Sequence, residues 1–594
     1  MRKKENIFSN EMLTGKIFSR FMLPSIFAFL ASNLSNTIAI AIIGNFLADD
    51  GLAAMSLVNP VTLLYFTIGA MIAVGSSILS SICLGQGKKE RASEFFGLAF
   101  LLALVAGSVV TVLGLFFLPD LVTFLGAPEH LHILVADYCR FYITGGTVCL
   151  LFYLPFNFLR VQGRPEYSMY LLFIMGGVNV FLTLFFIKYL GMGVAGAALA
   201  TIISMGGTFF IGCLFLFKKD AILYPVIRKF SCRDVLDVLS GGSAAACNNL
   251  SRMVIVLYLN SFFSVMGTST TLAIYTISRN VNDLLLTIIL GISQSIVPLI
   301  SLFYGEKDNT HIRYVIKKAL IFGNILLLVF FVLIVFFSEY IISFFGVTDI
   351  NLILENGGKL SLFCIAASLN LSFLNTFFVN YYSSIRMLSI PNFILWLKVL
   401  LLILSAYGIN TFLGIEYIWF CFIIAEGGAF VCWVCLISLF KNRICNYNKN
   451  PTNILLLDPE NEDEKKSINL SIRLLDDEIM AASCSIENFC KRCHIPLKKT
   501  MLISLFVEEL LMFVLKKGSR NEKQYIDIRL HTFMEEIILR IRYCGKKFDP
   551  VKEYDEENSD DLISDAMGVG IVKKMSSRLE YSEILGINNL LIHL

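Results

Sequence analysis

Two oppositely charged residues four positions apart, Arg279 and Asp283, stand near the middle of an otherwise apolar stretch of the chain. Ionisable groups are expensive in a lipid-embedded segment and mark substrate or ion pathways there. Four-residue spacing puts both on one helix face, where the simplest account is an intrahelical ion pair. A carboxylate in such a place also has a second use: it can hold a proton or a cation in one state of the protein and release it in another. Lys398 and Glu426 lie at mid-depth in two later apolar stretches, and adjacent helices would bring them together. Arg252, beside Asn248 and Asn249, is placed to meet Asp283 or an anionic substrate. Asp137 and Arg140 fall in the first third of their stretch, where snorkelling to water accounts for them. Asp283 is the expected coupling group. The expected chemistry is binding and release, with no catalytic residue.

The elements that must position these residues are membrane helices. Of the 594 residues, 56% are hydrophobic and 16% charged, and the mean hydropathy is +0.71. A helix needs roughly 20 apolar residues to cross a bilayer core of about 30 Å. Twelve stretches qualify, near 17–43, 52–84, 93–118, 131–158, 167–190, 193–217, 235–264, 271–303, 316–338, 358–382, 389–412 and 415–440. Residues Leu52 to Gly85 recur as Leu272 to Gly305, and the same shift pairs Phe116-Phe117 with Phe336-Phe337 and Gly126 with Gly346. The fold expected is therefore an all-α polytopic membrane protein of two parallel six-helix repeats, 1–228 and 229–441, an arrangement that lets one bundle rock against the other. Within the repeat, Arg279 and Asp283 replace Asn59 and Leu63, so the halves are not chemically equivalent. Pro24 and Pro298 would bend the first and eighth helices.

Lys and Arg crowd every second connection, from Lys88, Lys89 and Arg91 to Arg386, while the others hold Asp49, Asp50, Asp120, Glu129, Asp349, Glu355 and Glu416. Bases accumulate on the cytoplasmic side. Both termini are accordingly expected in the cytoplasm of a bacterial plasma membrane, with no cleaved signal peptide at the start. Topology accounts for the net charge of +3, and no nucleic-acid partner is indicated. After Lys441 a polar tract, 442–466, reads as a linker. The remainder, 467–594, alternates strand and helix patterns and suits one cytoplasmic α+β sandwich. Cys490, Cys493 and His494 in it spell C-x-x-C-H; for haem attachment they would have to lie outside the cytoplasm, so the spacing is read as coincidence.

Certain stretches resemble a known family. Asn33 to Gly44 with Leu52-Ala53-Ala54, Gly85 to Lys88, Leu159 to Pro165, Gly193 to Thr201, and Gln294 with Pro298 are together similar to the multidrug and toxic compound extrusion (MATE) transporters of the MOP superfamily. The resemblance covers roughly residues 10 to 441. It implies a secondary active antiporter that exports organic cations or other amphipathic compounds in exchange for H+ or Na+. The chain departs from the family where the first lobe usually carries carboxylates, having Ala39 and Thr183 in those places. Asn36, Asn179, Thr183 and Thr201 form an uncharged remnant, and Gln294 joins them as a candidate contact.

The tail resembles the anti-sigma-factor subgroup of the histidine-kinase-like ATPase fold, through Leu505 to Leu511, Gly545 to Pro550 and Met567 to Val572. Glu509, Gly545, Gly568 and Gly570 are the nucleotide-site positions it retains. Phe513 and Tyr543 stand where the resemblance implies a magnesium-holding Asn and an adenine-reading Asp, so neither ATP nor a metal is expected, and a regulatory role follows. The partners expected are lipid, a small-molecule substrate and a regulatory protein at the tail. Two rival functions are a lipid-linked oligosaccharide flippase of the same superfamily, which would want arginines for an anionic headgroup, and a membrane ligand sensor.

Overall fold

The computed structural model describes residues 12–218, 221–226, 230–266, 269–344, 357–444, 454–458, 467–473, 475–517, 525–533, 536–543, 549–550, 552 and 567–594. The first lobe holds α1 (Met12–Gly85), α2 (Lys89–Phe116), α3 (Leu118–Phe124), α4 (His132–Thr144), α5 (Gly146–Val161), α6 (Pro165–Lys188) and α7 (Gly193–Leu216). The second holds α8 (Cys232–Gly241), α9 (Ser243–Met266), α10 (Ser269–Gly305), α11 (Asn309–Phe336), α12 (Ser338–Phe344), α13 (Gly358–Ser384), α14 (Ser389–Phe412) and α15 (Phe420–Ile444). Among the described residues ten helical segments are long and apolar enough to cross a membrane, or eleven if α4 and α5, which meet at 52°, make one span. The twelve-stretch expectation differs at 235–264, which forms α8 and α9. The chain breaks at Gly242, where a Cβ would lie 1.8 Å from the Met71 carbonyl oxygen.

The first two expected stretches are one continuous helical run, α1, carrying the spans Leu13–Leu47 and Asp50–Gly85. A Cβ placed on Gly44 would lie 3.3 Å from Leu52 Cδ1, eight residues on. In a straight helix those residues are about 12 Å apart along the axis, so α1 turns back on itself here.

The repeat is visible in three dimensions. Gly85 and Gly305 end α1 and α10, α2 and α11 each run 28 residues, and α3 and α12 each run seven, all at the same shift of 220. The copies meet at their glycines. A Cβ on Gly85 would lie 2.2 Å from the Leu302 carbonyl oxygen, and one on Gly305 would lie 2.2 Å from that of Ile82, the repeat mate of Leu302. This reciprocity marks the pseudo-twofold axis and shows the two lobes in backbone contact at one end of the bundle.

The tail lies against that same end. It folds as β1 (Ser467–Arg473), α16 (Asp476–Arg492), α17 (Leu497–Lys517), β2 (Tyr525–Phe533), β3 (Glu536–Tyr543), α18 (Met567–Met575), β4 (Arg578–Ile584) and β5 (Ile587–His593), giving an antiparallel sheet ordered β1-β2-β3-β5-β4. Strand alternation sorts the side chains between faces. Leu470, Ile472, Ile526, Ile528, Leu530, Leu539, Ile541, Leu590 and Ile592 form a core with α16 and α17. The other face carries Asn469, Ser471, Asp527, Arg529, Arg540 and Arg542, in register across three strands, and it covers the glycine-lined end of the bundle. The tract expected as a plain linker carries a strap: Leu456 and Leu457 are fully buried in the bundle core, while Tyr381 and Tyr382 donate hydrogen bonds to the carbonyls of Leu455 and Ile454 at 2.6 and 2.8 Å.

Because the contact at the axis is backbone on backbone, Gly305→Ala should cost about 1–3 kcal/mol through overpacking and lower the thermal midpoint in detergent. Gly408→Ala, at a helical position with open space around it, serves as the control and should be neutral or slightly stabilising.

Candidate functional site

The second lobe holds a cavity of about 90 Å³, open to solvent, between α9, α10, α13, α14 and α15. Arg252 and Leu259 enter from α9, Tyr275, Arg279 and Asp283 from α10, Ser368 and Ser372 from α13, Lys398 from α14, and Glu426 from α15. All five charged residues singled out in the second half therefore line one space.

Their pairing is unequal. Asp283 sits 3.7 Å from Arg252 Nη2 and 3.7 Å from Arg279 Nε, so two guanidiniums share one carboxylate. Side-chain exposures of 47% for Arg252, 35% for Arg279 and 36% for Asp283 keep this trio open to the cavity. Asp283 is thus more than the partner of an intrahelical pair. Lys398 and Glu426 form a deeper ion pair. Asn375 donates to Glu426 Oε2 at 2.8 Å, and Trp433 Nε1 donates to Asn375 Oδ1 at 2.9 Å. That network satisfies the buried carboxylate, as a buried charge requires. Three cations against two carboxylates leave the cavity with a formal charge of +1.

A link runs from the cavity to the other lobe. Thr287, one turn beyond Asp283, donates to the Asp283 carbonyl at 2.8 Å and accepts from Asn33 Nδ2 of α1 at 2.8 Å. Thr287 and Thr67 are repeat mates, but only the Thr287 copy lies four residues after an acid.

In the first lobe the polar remnant is only partly assembled. Asn179 donates to Thr201 Oγ1 at 3.1 Å, and Thr183 is buried nearby on α6. Asn36 instead stands exposed. Its neighbour Ser35 makes the contact to α6, donating to the Gly176 carbonyl at 3.0 Å, so helical rotation turns Asn36 away. Gln294 is half-buried and does not line the second-lobe cavity. Asp137 and Arg140 are exposed, in keeping with snorkelling. In the tail, Phe513 and Tyr543 belong to the apolar core, where burial pushes the Tyr543 hydroxyl up from its usual range. Glu509 lies on α17 and Gly568 and Gly570 on α18, while Gly545 lies outside the described residues.

The MatE family model matches residues 24–185 and 244–411, more than half of the chain and both repeats. The chain belongs to the MatE family. Its members are transporters, so this protein is a transporter and not an enzyme. Relatives of the MatE chain include the probable multidrug resistance protein YoeA of Bacillus subtilis strain 168, 27% identical over 345 residues that cover 55% of this chain and 72% of YoeA. The multidrug export protein MepA of Staphylococcus haemolyticus is 25% identical over 324 residues, 54% of this chain and 71% of MepA. Among solved structures, MATE in complex with MaL6 aligns with a TM-score of 0.68 at 22% identity, covering 73% of this chain and 96% of that one. An outward-facing multidrug resistance MATE family transporter aligns equally well, at 0.68 and 22%, over 72% and 97%. These likenesses establish the membrane fold.

Residues that sequence reasoning passed over are the second rank around the cavity, Asn375, Trp433, Thr287 and Asn33. The signal for Asn375 was an amide in an apolar helix, one of three there with Asn370 and Asn380, but its partner lies 51 residues away. Removing one member of the Lys398–Glu426 pair leaves an uncompensated buried charge, at about 3–5 kcal/mol. Glu426→Gln and Lys398→Met should each lower thermal stability, and the Lys398→Met/Glu426→Leu double variant should be more stable than either single one.

Proposed function

We propose that this MatE transporter is a secondary active exporter of amphipathic compounds, working through the second-lobe cavity in exchange for H+ or Na+. The carrying observation is the sharing of Asp283 between Arg252 and Arg279 in an open, apolar-walled space. An ionised Asp283 can take the cationic end of a zwitterionic ligand while the neighbouring guanidiniums take its acidic end; a proton or Na+ on Asp283 removes that contact, so ion and ligand compete. Ligand and ion thus act on one group, which is what coupling requires. The hydrogen-bonded step from Asp283 through Thr287 to Asn33 gives the other lobe a contact with that event.

The charge of +1 supports a narrower substrate class than the family resemblance alone: amphipaths with an acidic or zwitterionic group in preference to simple organic cations. The names of YoeA and MepA support drug-like breadth. The protein is placed in the bacterial plasma membrane with both termini cytoplasmic, on the distribution of loop bases. The tail is a regulatory domain without ATP, a reading supported by the apolar surroundings of Phe513 and Tyr543. A second reading, the lipid-linked oligosaccharide flippase, is favoured by the same two guanidiniums.

Flux into inside-out vesicles decides between these readings. Fluorescent zwitterionic amphipaths should accumulate when a pH or sodium gradient is imposed, and Asp283→Asn should reduce that accumulation at least about tenfold. Arg252→Ala should weaken acidic substrates by about tenfold, the worth of a charge-assisted contact, and neutral ones much less. Unchanged flux in Asp283→Asn removes Asp283 from the mechanism. Gradient-independent movement of lipid-linked pyrophosphates alone favours the flippase.

A further inference from the structure

The polar face of the tail sheet meets the bundle through an ionic network that is almost wholly buried. Glu306 and Asp308 lie one and three residues past Gly305, at the end of α10. Glu306 takes Arg540 Nη1 on one oxygen at 2.6 Å and Arg542 on the other. Asp308 takes Arg529 at 3.0 Å and His311 Nδ1 at 2.8 Å, and His311 Nε2 reaches Asp527 of the sheet at 3.3 Å. Burial alone would raise the Asp308 carboxyl, but Arg529, His311 and Arg542 outweigh it and hold the group well below the usual carboxylate range. Its contribution is therefore present at neutral pH and fades only as pH falls below that range. Three arginines face three carboxylates here with little water, so the network tolerates neither loss of a partner nor separation of the surfaces.

One side chain in this network touches both halves of the transporter. Arg540 pairs with Glu306 of the second lobe and donates from Nη2 to the carbonyl of Gly85 in the first lobe at 3.2 Å. That carbonyl belongs to the glycine that meets Gly305 at the pseudo-twofold axis. A second bridge lies farther out. The β4–β5 turn, with Leu585 and Gly586 both at positive φ, seats against Gly163 of the first lobe, where a Cβ would lie 2.2 Å from the Gly586 nitrogen. The strap of Leu456 and Leu457 holds the other side to the second lobe.

We propose that the tail is an intramolecular latch: its sheet binds both lobes at once and holds this end of the transporter shut, so that transport requires the latch to release. The inference rests on the exporter reading for its consequence, because lobes that rock against each other to expose a site to one side and then the other must part at this end once in each cycle. They cannot part while Arg540 holds Gly85 and Glu306 and the turn holds Gly163. The loop bases place this end in the cytoplasm, the side from which an exporter loads. The latched form is thus closed to loading, and the tail sets the fraction of molecules that can load. A guanidinium fork suits the task, since it can address two acceptors in fixed directions where an ammonium acts as a point charge.

The test uses the full chain in lipid nanodiscs and in vesicles. Backbone hydrogen exchange is followed at residues 80–92 and 300–312, with 525–543 reporting on the fold of the tail. Arg540→Gln and Glu306→Gln should each speed exchange at both helix ends by about tenfold, with the tail core unchanged, and should raise the initial rate of substrate flux. Arg540→Lys should fall between them and the parent. Glu306→Gln lies outside the tail, so a misfolded tail cannot explain its effect. Unchanged exchange in both glutamine variants overturns the latch, and so does faster exchange with flux present but not raised. Should no compound move in any form, the exporter reading fails, and the exchange result alone upholds or overturns the latch.

Discussion

Two glycines of equal rank in the repeat, Gly85 and Gly305, let the lobes touch backbone to backbone on the axis that relates them. Association of helices in lipid depends on close packing, since apolar side chains gain nothing by leaving an apolar solvent. A side chain at either position would hold the lobes apart by more than an ångström and break the reciprocal contacts with Leu302 and Ile82. The junction with the tail is built around that approach: the carbonyl left available for Arg540, and the acidic pair Glu306 and Asp308 presented just beyond the helix end.

The second lobe answers a different constraint. Five charged side chains in apolar surroundings are stable only if each finds a partner or a cavity, and the structure uses both solutions. Lys398 and Glu426 are satisfied with Asn375 and Trp433 behind them, which fixes α13, α14 and α15 relative to one another. Arg252, Arg279 and Asp283 are left in excess and open. One group is thus closed by its own partners and the other left exposed to the cavity, although at the level of sequence the two looked alike.

Much of this was legible beforehand. Ten or eleven of the twelve apolar stretches, the shift of 220 and the strand and helix order of the tail survive among the described residues, because period and hydrophobicity act locally. The break at Gly242 was not legible, since it depends on the backbone of Met71, 171 positions away. Asn36 read as part of the first-lobe polar cluster because it shares a helix with its neighbours, yet the rotation of α1 against α6 gives the contact to Ser35. Residues 454–458 read as linker from their polar surroundings, although four consecutive apolar side chains among them find a place in the bundle core.

By itself the sequence determined that this is a duplicated membrane bundle with its charges in the second copy and a small α+β domain at the end. Those properties are set by composition and periodicity along one segment at a time. Only the tertiary structure decided that Arg252, Arg279, Asp283, Lys398 and Glu426 share one cavity, and that Arg529, Arg540 and Arg542 are interface residues. An alternating strand with arginines on one face satisfies a solvated surface and a buried ionic interface equally well. What separates the two is the presence, far earlier in the chain, of the Glu306 and Asp308 carboxylates and the Gly85 and Lys307 carbonyls at the helix ends waiting for those guanidiniums.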